Sequence, residues 1–224
     1  MSPSASSPIN LTNQFLIAMP GMVDGNFAGT VVYMCEHNDK GALGLVINRP
    51  IDINLKHLFE KVDLPLERSD LAERPVYLGG PVQTERGFVL HERLDDEGGH
   101  YNSTLKIEGG LEMTTSRDVL EALSNGAGPR MVFITLGYSG WTTGQLEEEI
   151  SRNGWLNVDA DPQIIFDTPV EQRYDKALSL LGIDRSFLMG EAGHARASSL
   201  SRRSGISSPL TTASSGSEWP RATA

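Results

Sequence analysis

Hydrophobic positions in this chain fall into short dense runs set between glycine, proline and asparagine. Phe15–Met19, Thr30–Cys35, Leu43–Asn48 and Met131–Leu136 are nearly unbroken apolar stretches. A strand with one wet face would alternate, so each run predicts a strand covered on both faces. Pro75–Leu78, Gly87–His91, Thr104–Glu108 and Ile164–Phe166 read as shorter strands, and Gly109-Gly110, between Ile107 and Leu111, as a hairpin turn.

A helical period shows in four other places. Leu55, Leu58, Phe59 and Val62 share one face. Val119, Leu120 and Leu123 mark a helix over about 116–125, opened by Thr115 with Asp118 three residues on. Leu146 and Ile150 mark one over about 143–153, ended by Gly154. Val170, Tyr174, Ala177, Leu178 and Leu181 mark the clearest, ended by Gly182. Its start has Thr168 as cap, Pro169 at the first helical position and Glu171 at the third. Strands interleaved with helices, without internal repeats, predict an α/β (α+β) domain in which helices cover a mixed sheet.

Composition bounds this domain. Residues 1–9 and 195–224 are rich in Ser, Ala, Pro and Thr, and predict a disordered N-terminus and tail around a domain over 10–194. Trp219 is the one large aromatic in that tail, either a docking residue or incidental. The net charge is −10 over 224 residues, while the tail carries four arginines against one glutamate, so the body is more acidic still. Such a body repels phosphate backbones, which argues against direct binding of nucleic acid or anionic membrane. No charged side chain precedes Asp24, yet Asn10, Thr12, Asn13 and Gln14 interrupt any apolar stretch and no basic segment leads it. Neither signal peptide nor anchor is therefore expected, and the expected compartment is the cytoplasm. Cys35, the single cysteine, fits a reducing compartment.

The richest chemistry lies in Met131–Glu149. A buried strand is expected to run into a turn at Gly137-Tyr138-Ser139-Gly140-Trp141, then into a helix whose start Thr142 and Gln145 close as a capping box. Free N–H groups at such a helix start favour ligands. The turn approaches a G-x-S-x-G nucleophile elbow but has Trp141 in the last glycine position, with no His–Asp pair following. Glu147, Glu148 and Glu149 disfavour an anion there. Gly79-Gly80 after a strand admits close backbone approach by a ligand, or makes a plain turn ahead of Pro81. His91 at a strand end is a candidate base or a structural histidine. Arg49 offers a carboxylate or phosphate clamp, or an internal ion pair. Asp24 is a site acid or a turn cap. Cys35 reads as buried and inert. Histidines 37, 57, 91, 100 and 194 have no metal-ligand spacing, so no metal and no cofactor is expected.

Taken in order, FLIAMPGMVDGNF (15–27), TVVYMCEHNDKGALGLVINRPI (30–51), VYLGGPV (76–82), GFVLH (87–91), TTSRDVLEAL (114–123), LGYSGWTTGQLEEEISRNGWL (136–156) and IIFDTPVEQRYDKALSLLGID (164–184) resemble the YqgE/AlgH family of bacterial proteins over about residues 10–194. The resemblance implies a compact single-domain fold with a branching mixed sheet flanked by helices. It implies no settled activity and no catalytic residues, and at position 139 it implies that alanine can replace serine.

Three readings of function follow. The first is a cytoplasmic, non-enzymatic protein with a regulatory or binding role toward a protein or small-molecule partner. The second is a ligand binder or enzyme in which Asp24, Arg49, Gly79, Gly80, His91, Tyr138 and Gln145 converge at one mouth of the sheet, which requires His91 and Tyr138 on the same side. The third, a transcriptional regulator touching DNA, runs against the charge and lacks a helix-turn-helix.

Overall fold

A computed structural model of the protein describes residues 10–94 and 101–188. The segments expected to be disordered, 1–9 and 195–224 with Trp219, lie outside the described residues, as do His100 and His194. The strands are β1 (Gln14–Ala18), β2 (Val31–Asn38), β3 (Gly41–Val46), β4 (Pro50–Asn54), β5 (Pro75–Leu78), β6 (Val82–Glu92), β7 (Thr104–Lys106), β8 (Leu111–Thr114), β9 (Val132–Thr142) and β10 (Trp155–Asp159). The helices are α1 (Leu55–Lys61), α2 (Asp118–Ser124), α3 (Gln145–Ser151), α4 (Pro162–Phe166), α5 (Val170–Leu180) and α6 (Arg185–Leu188).

The sheet runs β10-β1-β2-β3-β9-β6-β8-β7, and β5 with β4 branches off it. β9 creates the branch. Its first half lies parallel to β5, with Tyr77 opposite Thr135, and its second half lies antiparallel to β3, with Leu43 opposite Gly140. The changeover falls at Gly137, whose φ of 72° lets β9 swing from one partner to the other. Gly79 ties the fork together. Its N–H donates to the Leu136 carbonyl, and its carbonyl accepts from Val46 N–H, both at 2.8 Å.

The unbroken runs do bury both faces. Phe15, Ile17, Val31, Tyr33, Leu45, Phe88, Leu90 and Phe133 face one core with Ile164, Ile165, Tyr174 and Leu178 from α4 and α5. The intervening Leu16, Ala18, Val32, Met34 and Val46 face a second core with Phe27, Trp141, Leu146 and Trp155. Val89, Val132 and Ile134 pack beneath α1 and α2 in a third. This strict alternation between cores is the period of two written in apolar residues throughout.

Local signals explain most boundaries. Asn54 caps α1 by accepting His57 N–H. α5 ends in a Schellman turn, with Gly182 at φ 69° donating to Ser179 and Ile183 N–H to Leu178. α3 ends the same way with Asn153, rather than Gly154, in the left-handed position. The strand expected at Ile164–Phe166 is instead α4, because Asp161 caps it through Gln163 N–H and Pro162 opens it. The start of α5 lies one residue later than Thr168 implied, with Pro169 as its cap residue. α2 is capped at Arg117 rather than Thr115. β4 and β10 were not anticipated. Among the described residues no helix is long and apolar enough to cross a membrane.

Candidate functional site

The expected turn at Gly137–Trp141 does not exist, because these residues continue β9. Beyond the kink at Gly137, Tyr138 pairs with Val82 of β6, and pairing with β3 holds Ser139–Thr142 extended. Ser139 therefore points into the fold, wholly buried, and donates to the Gly79 carbonyl at 3.0 Å. That is a structural hydroxyl, not an exposed nucleophile. The helix after it begins beyond Gly144, which takes φ 77°. Half of the expected capping box survives: Gln145 Oε1 reaches back to accept Thr142 N–H at 3.1 Å, while Thr142 gives no cap in return.

Gly79 and Gly80 are spent on the protein's own backbone. A Cβ on Gly79 would lie 2.2 Å from the Gly137 carbonyl oxygen, and one on Gly80 would lie 2.3 Å from the Tyr138 carbonyl carbon. The two glycines exist to let β5 and β9 touch.

Asp24 and Arg49 do come together, but to close a loop. Asp24 Oδ1 accepts from Asn26 N–H at 2.8 Å and Phe27 N–H at 3.1 Å. Arg49 donates to the carbonyls of Gly25, Asn26 and Ala28 at 3.1, 2.6 and 3.2 Å. Burial lowers the Arg49 guanidinium from its ordinary value, and the Asp24 charge partly restores it. This clasp delivers Phe27 to an aromatic cluster with Trp141 and Trp155, at ring-centroid distances of 5.8 and 5.4 Å.

His91 is fully buried. Nδ1 lies 2.8 Å from the Glu92 carbonyl, which can only accept, so Nδ1 carries the proton. Nε2 then accepts from the Thr114 hydroxyl at 2.9 Å. His91 pairs with Val132 and Tyr138 with Val82, at opposite ends of the β6–β9 ladder. Six residues of strand separate them, roughly 20 Å. The single mouth expected for all seven residues is thus divided into three places. Cys35 is buried, and burial first, then the Glu36 charge, pushes its thiol well above the ordinary range.

What remains is a groove of about 470 Å³, lined by Glu36, Asn38, Lys40, Leu43, Val82, Tyr138, Thr142 and Gln145 among others. It lies between the β2–β3 turn, the second half of β9 and α3. Of the seven candidates, Tyr138 and Gln145 line it. Its floor is rigid. Gln145 Nε2 donates to Glu149 Oε1 at 3.0 Å, and Glu149 Oε2 accepts both indole N–H groups, Trp141 at 3.0 Å and Trp155 at 2.8 Å. His37, at the end of β2, accepts Leu11 N–H on Nδ1 at 3.1 Å and so donates from Nε2 to Glu147 at 3.1 Å. At the rim, Lys40 engages the fold through its backbone N–H, bonded to Asn38. Tyr138 engages it through its ring, packed 5.4 Å from that of Phe88. Glu36, Asn38 and Lys40 were missed as site residues; the signal was the Asn-Asp-Lys-Gly turn of a tight hairpin facing a glycine-bearing strand. Among the described residues no group of three or more His, Cys, Asp or Glu is arranged to hold a metal ion.

The fold and this site define a single-domain α/β protein with a curled, branched sheet, its candidate nucleophiles and base locked in the interior, and an open polar-rimmed groove. Residues 15–186 match the AlgH-like family (DUF179), and the chain belongs to that family. It is 67% identical over 192 residues to the UPF0301 protein RSc0675 of Ralstonia nicotianae, covering 86% of this chain and 99% of the relative. It is 65% identical over 190 residues to the UPF0301 protein Bcep1808_0798 of Burkholderia vietnamiensis, covering 85% and 98%. The solution structure of the AlgH protein from Pseudomonas aeruginosa is similar, with a TM-score of 0.67 at 50% identity over 86% of this chain and all 100% of that one. The crystal structure of DIP2367 from Corynebacterium diphtheriae, at 18% identity and a TM-score of 0.58 over 80% of this chain and 88% of that one, shares the fold.

Proposed function

We propose that this AlgH-like protein acts by binding, in a regulatory role in the cytoplasm, and makes or breaks no bonds of its own. The groove beside α3 is its docking site. The observation that carries this reading is the division of side chains. Ser139, His91 and Cys35 are buried, with Ser139 and His91 bonded to neighbouring groups of the fold. Half-buried Tyr138 and exposed Lys40 instead line a groove whose floor is fixed by Glu149. Recognition favours this arrangement, with a few polar groups on a rigid base. Its partner has an acidic or hydrogen-bonding group for Lys40 and Tyr138 beside a short apolar segment for Leu43 and Val82.

The test is retention. Wild type and Lys40→Glu are purified from the native cells, and proteins and small molecules carried along are identified by mass spectrometry. A species held by wild type, lost with the variant and recovered chemically unchanged supports the proposal. A species held equally by both, or one converted to product, overturns it.

A further inference from the structure

A guanidinium taken out of water needs an anion, because hydrogen bonds to neutral groups leave its charge uncompensated. Arg173, in the first turn of α5, is 5% exposed. Its Nε donates to the Thr168 carbonyl at 3.0 Å and its Nη1 to the Ile47 carbonyl. The guanidinium carbon lies 4.9 Å from the Tyr77 ring centroid and 5.3 Å from that of Phe133. Carbonyls and ring faces supply partial charge only. Glu171 acts on it from a distance, exposed to solvent and forming no ion pair with it. Arg74 is the nearby like charge, and neither arginine takes part in an ion pair among the described residues. Burial depresses the Arg173 guanidinium below its ordinary value, with Tyr77 and Glu171 opposing and Arg74 adding to the effect. Arg173 is the buried one of the two, and among the described residues no carboxylate lies within ion-pair distance of its charge.

A cleft of about 210 Å³ opens beside them. Arg74, Arg173 and Tyr77 form its polar side, and Phe133, Ile165 and Phe166 its apolar side. It lies at the β5 end of β9, away from the groove at Tyr138–Thr142, and depends on nothing argued for that groove. Its volume falls below the roughly 300–1,000 Å³ of drug-sized pockets, which excludes nucleotides and large cofactors.

We propose that this cleft binds a small organic oxyanion, a carboxylate or a phosphate monoester, with its head on Arg173 and Arg74 and a compact apolar body against Phe133, Ile165 and Phe166. Guanidinium groups pair with both oxyanions through parallel N–H···O bonds. An inorganic ion would leave the apolar wall uncovered, so it binds more weakly than the organic forms.

The full chain is titrated, with backbone amide shifts as readout, using benzoate, phenyl phosphate, inorganic phosphate and neutral benzyl alcohol. The expected result is saturable movement of residues 74, 76–77, 132–134 and 165–166 with benzoate or phenyl phosphate, weaker response to inorganic phosphate and none to benzyl alcohol. Comparing the two aryl ligands tells carboxylate from phosphate. Arg74→Gln, an exposed change that leaves the Arg173 clamp intact, weakens the better ligand roughly tenfold, while Arg152→Gln, which removes the same charge elsewhere, leaves it unchanged. No movement of these residues with either aryl anion, an equal response to benzyl alcohol, or equal affinity in Arg74→Gln and wild type overturns the proposal.

Discussion

Glu149 ties together Trp141, Trp155 and Gln145 beneath the groove, and truncating it to alanine measures how much that link stabilises. One carboxylate oxygen accepts the indole N–H groups of Trp141 and Trp155, at 3.0 and 2.8 Å, and the other accepts Gln145. The two indoles are 5% and 3% exposed, so each loses its partner inside the fold. A buried donor left unsatisfied costs about 1–3 kcal/mol. Glu149 is itself half-buried, so water partly replaces it for one indole, and the loss is about 3 kcal/mol, or a Tm fall of about 6–12 °C. Glu149→Gln keeps an acceptor for the indoles but turns a donor toward Gln145 Nε2, and costs about 1 kcal/mol. Urea unfolding followed by tryptophan fluorescence reads both. If Glu149→Ala stays within about 0.5 kcal/mol of wild type, the carboxylate is not the link between the two tryptophans and the rigid floor of the groove is refuted.

Four further outcomes follow from the same geometry. Gly80→Ala forces a Cβ to 2.3 Å from the Tyr138 carbonyl carbon at φ 155°, and should cost about 4 kcal/mol or more; Gly144→Ala, at φ 77° with open space around it, costs only about 1–2 kcal/mol of left-handed strain, and urea midpoints compare the two. Ser139→Ala loses about 1 kcal/mol, because the Gly79 carbonyl keeps Val46 N–H; a larger loss would show that the hydroxyl does something the fold does not explain. For Asp118, burial raises the carboxyl, but hydrogen bonds from Ser116, Asn102 and Val119 N–H outweigh it and hold it below the ordinary value. Its stabilisation is therefore complete above the unfolded carboxylate range, near pH 4, and is lost as pH falls through the lowered folded value; the stability gap between wild type and Asp118→Asn should be constant at neutral pH and close in acid. Cys35 should resist thiol reagents in the native protein and react only as fast as the chain opens, so labelling at the free-thiol rate without denaturant would contradict its burial.

Two-sided strands were the most legible part of the fold, since Phe15–Met19 and Thr30–Cys35 have nowhere to go but between two cores. Helix α5 was legible for a different reason: its apolar stripe and its closing Gly182 agreed. β4 and β10 escaped because Pro50–Asn54 and Trp155–Asp159 are short and mix apolar with polar residues, a pattern shared with loops. α4 escaped because three apolar residues fit either period, and the Asp161-Pro162 start that decides the matter lies just before them. At the site, Gly137–Trp141 resembled a turn by composition; pairing with β6 at Tyr138 and with β3 from Ser139 on, set by residues about fifty to a hundred positions away, makes it strand instead. Arg173 shows the same limit. Its partners are Ile47, Tyr77 and Phe133, and no local pattern announces a meeting of such distant positions.

The central claim is that the rim of the groove meets a partner while buried Ser139, His91 and Cys35 serve only the fold. A photoreactive amino acid in place of Tyr138, irradiated in the native cells, tests it most directly, with the same residue in place of exposed Leu180 as the comparison. The account predicts a discrete adduct, protein or small molecule, at position 138 and none at 180. Identical adducts at both positions, or none at 138, would contradict it.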